Sequence, residues 1–238
     1  MNEIMRHVVH TEEHWHLLRS NCITASEAAV LIGQNPYSSP GKLKKDGGFT
    51  GNAYTLIGQV MEPVVVDVTN RVIGTTYKLY ETENIGKVFY VKGLLGATPD
   101  ATDGSTLLEC KSTKPETYLK YKEAPPYQYL VQLQVQLWCT DIKEGYLAIM
   151  STDLSQVSPN IIWPIVIYKV LRSDRLCEII QQEAARFYEA PDKFRVNSPI
   201  KKEATELLSK CYERVYYNET VDKSNELKKL MREMLSAK

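Results

Sequence analysis

Paired cysteines are missing from this sequence. Its five cysteines, Cys22, Cys110, Cys139, Cys177 and Cys211, lie far apart and never in C-x-x-C spacing. That excludes a zinc ribbon and a cysteine-ligated iron–sulfur cluster, and an odd set of reduced, mostly buried thiols fits an intracellular protein. Long apolar runs are missing too. No stretch reaches membrane-spanning length and the first residues carry no signal-peptide core, so the expectation is a soluble, cytoplasmic protein with no membrane partner. Excess charge of either sign is absent: 29 basic residues balance 29 acidic ones. No global basic field announces nucleic acid, and any such surface has to be local, as when an acidic metal site is offset by a basic groove. There is no internal repeat and no low-complexity tract. What is present is length, 238 residues, and a 43% hydrophobic content, enough to fill the core of one large α/β domain.

The chain is organised around residues 96–113, GATPDATDGSTLLECKST. An apolar strand ending in Thr98-Pro99-Asp100, a turn at Asp103-Gly104-Ser105 and a second apolar strand from Leu107 predict a β-hairpin. The second strand delivers Glu109, Cys110 and Lys111. Side chains alternate along a strand, so Glu109 and Lys111 share one face and Cys110 takes the other. Pairing of the hairpin brings Asp100 close to the Glu/Lys pair. Two close carboxylates repel unless a cation neutralises them, and a hard divalent ion with oxygen ligands, Mg²⁺ or Mn²⁺, does so. Lys111 then orients or helps to deprotonate the attacking water, which is the apparatus of phosphodiester hydrolysis. Read in isolation, the pattern D-x(8)-E-x-K equally describes a surface hairpin with solvated charges.

Elsewhere, residues 14–19 predict a short helix leading into a second one over residues 24–32, capped by Thr24 or Ser26, with Glu27 in its first turn and Gly33 at its end. A helix N-terminus with Arg19 nearby suits a phosphate, although capping is the ordinary work of Ser26. Residues 35–51 form a Pro/Gly/Ser-rich loop whose Lys42, Lys44 and Lys45 are either a solvated face or contacts to DNA phosphates. A helix is predicted over residues 56–72 with Ile57, Val60, Val64, Val68 and Val72 near one stripe. Glu62 precedes Pro63, where the helix is expected to begin or kink, and is either solvent-facing or a further ligand reaching the hairpin. Strands follow over 75–85 and 88–91, then a short helix over 116–122. The helix over 127–138 places Gln134 in an apolar stripe, where it needs a hydrogen-bonding partner, and Gln128, Gln132 and Gln136 on a second, polar face. Either set is a candidate for substrate contact. Strands over 144–151 and 161–170, the latter marked by Pro164 as an edge or bulged strand, precede an amphipathic helix over 174–188. Charged helices are expected over 201–217 and 222–235. This divides the chain into a catalytic domain, residues 1–198, and a C-terminal helical extension, residues 199–238.

The order helix, strand, strand, strand, helix, strand, with the charged triad on the second and third strands, is that of a PD-(D/E)xK restriction-endonuclease-like core: an α/β fold with a mixed central sheet flanked by helices. The sequence resembles the phage lambda exonuclease family, also called YqaJ-type viral recombinases. The motifs carrying the resemblance run in order: W-H-x-L-R at Trp15 to Arg19, I-T-A-S-E at Ile23 to Glu27, N-P-Y-x-S-P at Asn35 to Pro40, G-x-x-x-E at Gly58 to Glu62, A-T-P-D at Ala97 to Asp100, E-C-K at Glu109 to Lys111 and Q-x-Q at Gln132 to Gln134. The resemblance implies that Asp100, Glu109, the Cys110 backbone carbonyl and Glu62 surround Mg²⁺, that Lys111 acts on the attacking water with Gln132 assisting, and that Arg19 and Ser26 hold a DNA 5′-phosphate. Gln134 and the three lysines are further candidate DNA contacts. It also implies a ring-shaped homotrimer, of phage or prophage origin in a bacterial cytoplasm, that digests one strand of linear double-stranded DNA from its 5′ end beside a single-strand annealing protein. Two features depart from the family: helices beyond Pro199, and no counterpart near Tyr90 of the acid for a second metal ion.

The expected activity is therefore a Mg²⁺-dependent 5′→3′ exonuclease that leaves 3′ single-stranded tails for recombination. An endonuclease or flap nuclease on the same fold, and a non-catalytic DNA-binding scaffold, are the alternatives.

Overall fold

The computed structural model describes residues 3–43, 53–80, 87–152 and 164–218. The first part of the chain gives β1 (Ile4–Val9), α1 (Glu12–Ser20), β2 (Ile23–Thr24), α2 (Ala25–Leu31), α3 (Ala53–Ile73) and β3 (Lys78–Leu79). The middle gives β4 (Lys87–Lys92), β5 (Leu95–Ala97), β6 (Ala101–Thr102), β7 (Leu107–Thr113), α4 (Pro115–Tyr121) and α5 (Tyr127–Thr140). β8 (Glu144–Ser151), β9 (Ile165–Leu171), α6 (Asp174–Glu189), α7 (Ser198–Leu208) and β10 (Tyr212–Tyr217) complete it.

Two mixed sheets result, one of four strands in the order β1-β4-β5-β2 and one of six in the order β10-β9-β8-β7-β6-β3. β7 and β8 run parallel, joined by a crossover through α4 and α5, while β8–β9 and β6–β7 are antiparallel. The inner strands alternate in which layer they feed, as period-two geometry requires. Leu107, Leu147, Ile149, Val166 and Tyr168 pack beneath α2, α5 and α6, whereas Leu108, Ala148, Met150, Ile165 and Ile167 pack against Met61, Val65 and Val68 of α3. The α/β architecture with a mixed sheet flanked by helices is thus as the sequence implied.

Several local expectations are corrected. β1 was not expected; Ile4–Val9 pairs with β4 along its whole length, with only Met5 and Arg6 exposed. α3 does not begin at Pro63 but runs through it from Ala53. The expected stripe holds in its second half, where Val68 is buried and Val64 and Val72 pack partly buried beside Met61, Val65 and Val66, but not in its first, where Ile57 and Val60 are exposed. The described part of the strand expected over 75–85 is only β3; residues 81–86, 161–163 and 222–235 lie outside the described residues. β9 is an inner strand, and Pro164 stands just before it, where its carbonyl accepts the Ser151 N–H at 2.9 Å. The helix expected over 201–217 stops at Leu208, and residues 212–217 instead form β10 on the edge of the large sheet, with a register shift between Arg214 and Tyr216. β-branched and aromatic residues in YERVYY favour that choice. The boundary expected at residue 199 falls inside α7, whose Ala204 and Leu208 are buried in the main core.

Candidate active site

The hairpin places its acids through a change of sheet. β5 belongs to the small sheet; after Ala97 the chain crosses through Thr98 and Pro99 into β6 of the large one, where Ala101 pairs with Leu108 and Thr102 with Leu107. Asp103 staples the turn, its Oδ1 accepting from Ser105 N (2.9 Å) and Thr106 N (2.8 Å) in the manner of an Asx turn. Extending that register by one residue sets Asp100 opposite Glu109. The Asp100 Oδ2 accepts the Cys110 N–H at 2.8 Å, and its backbone carbonyl accepts the Tyr80 N–H at 3.0 Å.

Glu109 is fully buried. A buried carboxylate survives only if paired, and this one is: Gln132 Nε2 donates to Oε1 at 2.6 Å, Gln136 Nε2 donates to Oε2 at 2.5 Å, and Lys111 forms an ion pair with Oε1. The Lys111 ammonium also lies 5.3 Å from the centre of the Tyr129 ring. A cavity of about 230 Å³ is bordered by Asp100, Cys110, Lys111 and Ser112 of the hairpin and by Gly58, Gln59 and Glu62 of α3. Pro63 has no N–H to give to the carbonyl of Gln59, four residues back, so the helix is locally short of a hydrogen bond beside the cavity.

The electrostatics follow from burial and crowding. Burial and the neighbouring Glu109 carboxylate, with a contribution from Glu62, push the Asp100 carboxyl well above its ordinary range, against the opposing pull of Lys111 and the Cys110 N–H. Burial alone would lower the Lys111 ammonium, but Glu109 and Asp100 outweigh it and hold the group protonated. Burial and the adjacent acids push the Cys110 thiol up, which leaves it inert. Among the described residues, no three His, Cys, Asp or Glu side chains converge as a ready-made metal cage. The donor set nevertheless fits a hard divalent cation. Oxygen ligands border one cavity, and the repulsion that raises Asp100 is what a bound cation relieves.

The structure brings Asp100, Glu109, Lys111, Glu62, Cys110 and Gln132 together. Gln134 it places elsewhere: fully buried, its Nε2 donates to the Leu171 carbonyl and its Oε1 accepts the Ser173 N–H, both at 2.7 Å. That amide ties α5 to the β9–α6 junction and is not offered to DNA. Gln136, read from the sequence as part of a polar face, is buried against Glu109. The signal was its position between Val135 and Leu137 one turn after Gln132. The cap of α2 is Thr24, whose N–H reaches Glu27 Oε2 at 2.9 Å, and Ser26 is left exposed with its Oγ 3.2 Å from Thr24 Oγ1. Arg19 stacks over Trp15, 4.4 Å from the ring centre. Lys42 is exposed in a 3₁₀ turn (Pro40–Lys42), and Lys44 and Lys45 lie outside the described residues. All five cysteines are free, and among the described residues no helix is long and apolar enough to cross a membrane.

Residues 14–143 match the model of the YqaJ-like viral recombinase domain. No curated protein matches the sequence. Among solved structures, the chain is similar to an alkaline exonuclease, LHK-Exo, from Laribacter hongkongensis, with 19% identity and a TM-score of 0.58, covering 82% of this chain and 99% of that one. It is similar to LHK-Exo in complex with dAMP at 20% identity and a TM-score of 0.55, over the same shares of the two chains. At these identities the likeness is one of fold.

Proposed function

Because the chain belongs to the YqaJ-like viral recombinase domain family, we propose that it is a Mg²⁺-dependent 5′→3′ exonuclease on linear double-stranded DNA, leaving 3′ single-stranded tails for annealing recombination. The observation that carries this reading is the convergence of Asp100, Glu62 and Lys111 on one cavity, with Glu109 buried and ion-paired to Lys111. Asp100, Glu62, the Cys110 carbonyl and Glu109 would hold the metal, which when bound activates water and absorbs charge developing on the phosphate. Lys111, held as an ammonium, donates hydrogen bonds that orient the attacking water or a phosphate oxygen and offset negative charge in the transition state. Gln132 keeps the Glu109 carboxylate in the plane it has here. Cys110 contributes no thiol chemistry.

Arg19 and the exposed hydroxyl of Ser26 are the residues proposed for a 5′-phosphate, with Lys42 among the backbone contacts. The same reading carries a homotrimer around duplex DNA in a bacterial cytoplasm and a single-strand annealing partner, both supported by family membership.

The test is digestion of end-labelled linear duplex with Mg²⁺ against EDTA. Loss of the 5′ label first, only with metal, is expected. Efficient cutting of covalently closed circles would replace the exonuclease with an endonuclease, and binding without cleavage would leave a scaffold. Removing the 5′-phosphate should slow digestion, and Arg19→Ala should erase that difference; equal rates on both ends with wild type would remove the phosphate pocket. Lys111→Ala should lose several orders of magnitude in rate with DNA binding largely intact.

A further inference from the structure

We propose that Gln136 is a positioning residue that sets the separation of the two hairpin carboxylates, Asp100 and Glu109, by gripping the backbone that carries one and the side chain of the other. Its catalytic consequence rests on the exonuclease reading above; the clamp itself does not. Gln136 is completely buried on α5. Its Nε2 donates to Glu109 Oε2 at 2.5 Å and reaches the Thr98 carbonyl at 3.3 Å. Thr98 lies in the connection between the two sheets, two residues before Asp100. One amide therefore bridges the strand that bears Glu109 and the segment that delivers Asp100.

The orientation of that amide is determined by its surroundings. Both neighbours of Nε2 are pure acceptors, a carboxylate and a peptide carbonyl, so only the NH₂ end can face them, and its two N–H groups match two acceptors. The opposite end bears the cost: Gln136 Oε1 is buried without a hydrogen-bond partner, as is the Oγ1 of Thr98. The division of labour with Gln132 is also specific. Gln132 and Lys111 engage Oε1, whereas Gln136 engages Oε2 from below, so two amides one helical turn apart fix the carboxylate against rotation. Outer groups that hold a ligating carboxylate in this way usually govern metal affinity and turnover by about 10–100-fold.

The experiment compares wild type with Gln136→Met, which is close in shape and lacks the amide, in three measurements. Expected are a fall of about 100-fold in kcat with KM for duplex DNA within about twofold, and a rise of about tenfold in the Kd for Mn²⁺ titrated calorimetrically without DNA. In ¹⁵N-labelled wild type, the Gln136 side-chain amide protons are expected to exchange with solvent far more slowly than an exposed glutamine amide and to shift when Mg²⁺ is added. A folded Gln136→Met with kcat within threefold of wild type, or with kcat and KM changed together, overturns the proposal. So does a rapidly exchanging Gln136 amide in wild type, a readout that stands even where the variant does not fold. Wild type with no nuclease activity defeats the exonuclease reading instead, and leaves the Mn²⁺ titration and amide exchange as the tests of the clamp.

Discussion

The Asp100 carboxylate and the Cys110 backbone N–H are joined across the hairpin at 2.8 Å, so the first acid is anchored to the strand that carries the second. One oxygen of Asp100 is spent on that bond. Its position is thereby coupled to β7 and to the turn that pairs the strands, and the acids move together or not at all. Rigid delivery of like charges has an energetic consequence. In the metal-free protein the site is held against repulsion, the usual condition of a functional centre whose geometry serves chemistry and not stability.

That condition predicts the outcome of Asp100→Asn. The amide oxygen still accepts from Cys110, while the charge that burial and Glu109 oppose is removed. The variant should melt a few degrees higher than wild type in EDTA, the size expected from about 1 kcal/mol in a chain of this length, and should lose DNA cleavage by at least about 100-fold. Melting curves in EDTA beside a digestion assay check both. A lower melting temperature would mean that Asp100 stabilises the metal-free fold, contrary to its raised pKa.

Gln134 gives the opposite pattern. Gln134→Leu takes away the partner of the Leu171 carbonyl and of the Ser173 N–H, both partly buried hydrogen bonds, at a cost of about 1–3 kcal/mol. Urea unfolding should register this loss, while the KM for DNA of the folded fraction should stay at the wild-type value. A change in KM with stability intact would restore Gln134 to the DNA interface.

The contrast between these two residues marks how far the sequence could be read. Asp100, Glu109 and Lys111 were legible because turn chemistry and strand alternation act over a few residues, and the turn and β7 formed as those rules require; the first strand did not, since the apolar run before Asp100 ends at Ala97 in the small sheet and the two-residue β6 takes its place in the hairpin. The need of Gln134 for a partner was legible, but not the partner, since Leu171 and Ser173 lie more than 35 residues away. Glu62 could only be posed as a choice, because α3 turns toward the hairpin through contacts of Met61, Val65 and Val68 with the sheet. β10 was misread as helix for a similar reason: a segment with charged residues beside tyrosines is decided by the edge of β9 waiting to be paired.

The turn itself carries a pH dependence. Burial works against the charge of Asp103, but the N–H groups of Thr106 and Ser105 outweigh it and hold the carboxyl below the usual carboxylate range. A carboxylate lowered on folding contributes stability that is complete above its unfolded value and is lost as pH falls through its folded one. Asp103→Ala should therefore cost about 1 kcal/mol at neutral pH and almost nothing in strong acid. Urea midpoints at neutral and acid pH measure it; a penalty that stays constant with pH would assign the effect to packing.

Gly96 supplies the last prediction, at the point where the small sheet hands the chain to the site. It pairs with Thr24 on one side and Val91 on the other, and a Cβ there would fall against Cys22 Sγ and 2.6 Å from Phe89 Cζ. Phe89 is fully buried and Cys22 nearly so, so neither can swing aside. Gly96→Ala should cost about 1–3 kcal/mol from overpacking. The displacement should also pass along β5 to Thr98 and Asp100, so cleavage should fall more than DNA binding. Adding Cys22→Ala to Gly96→Ala should recover part of the stability, and a double-mutant cycle over the two positions should give a favourable coupling of about 0.5–3 kcal/mol. Simple additivity of the two changes would show that β5 is free to shift, and that the approach of Asp100 to Glu109 is set by the hairpin alone.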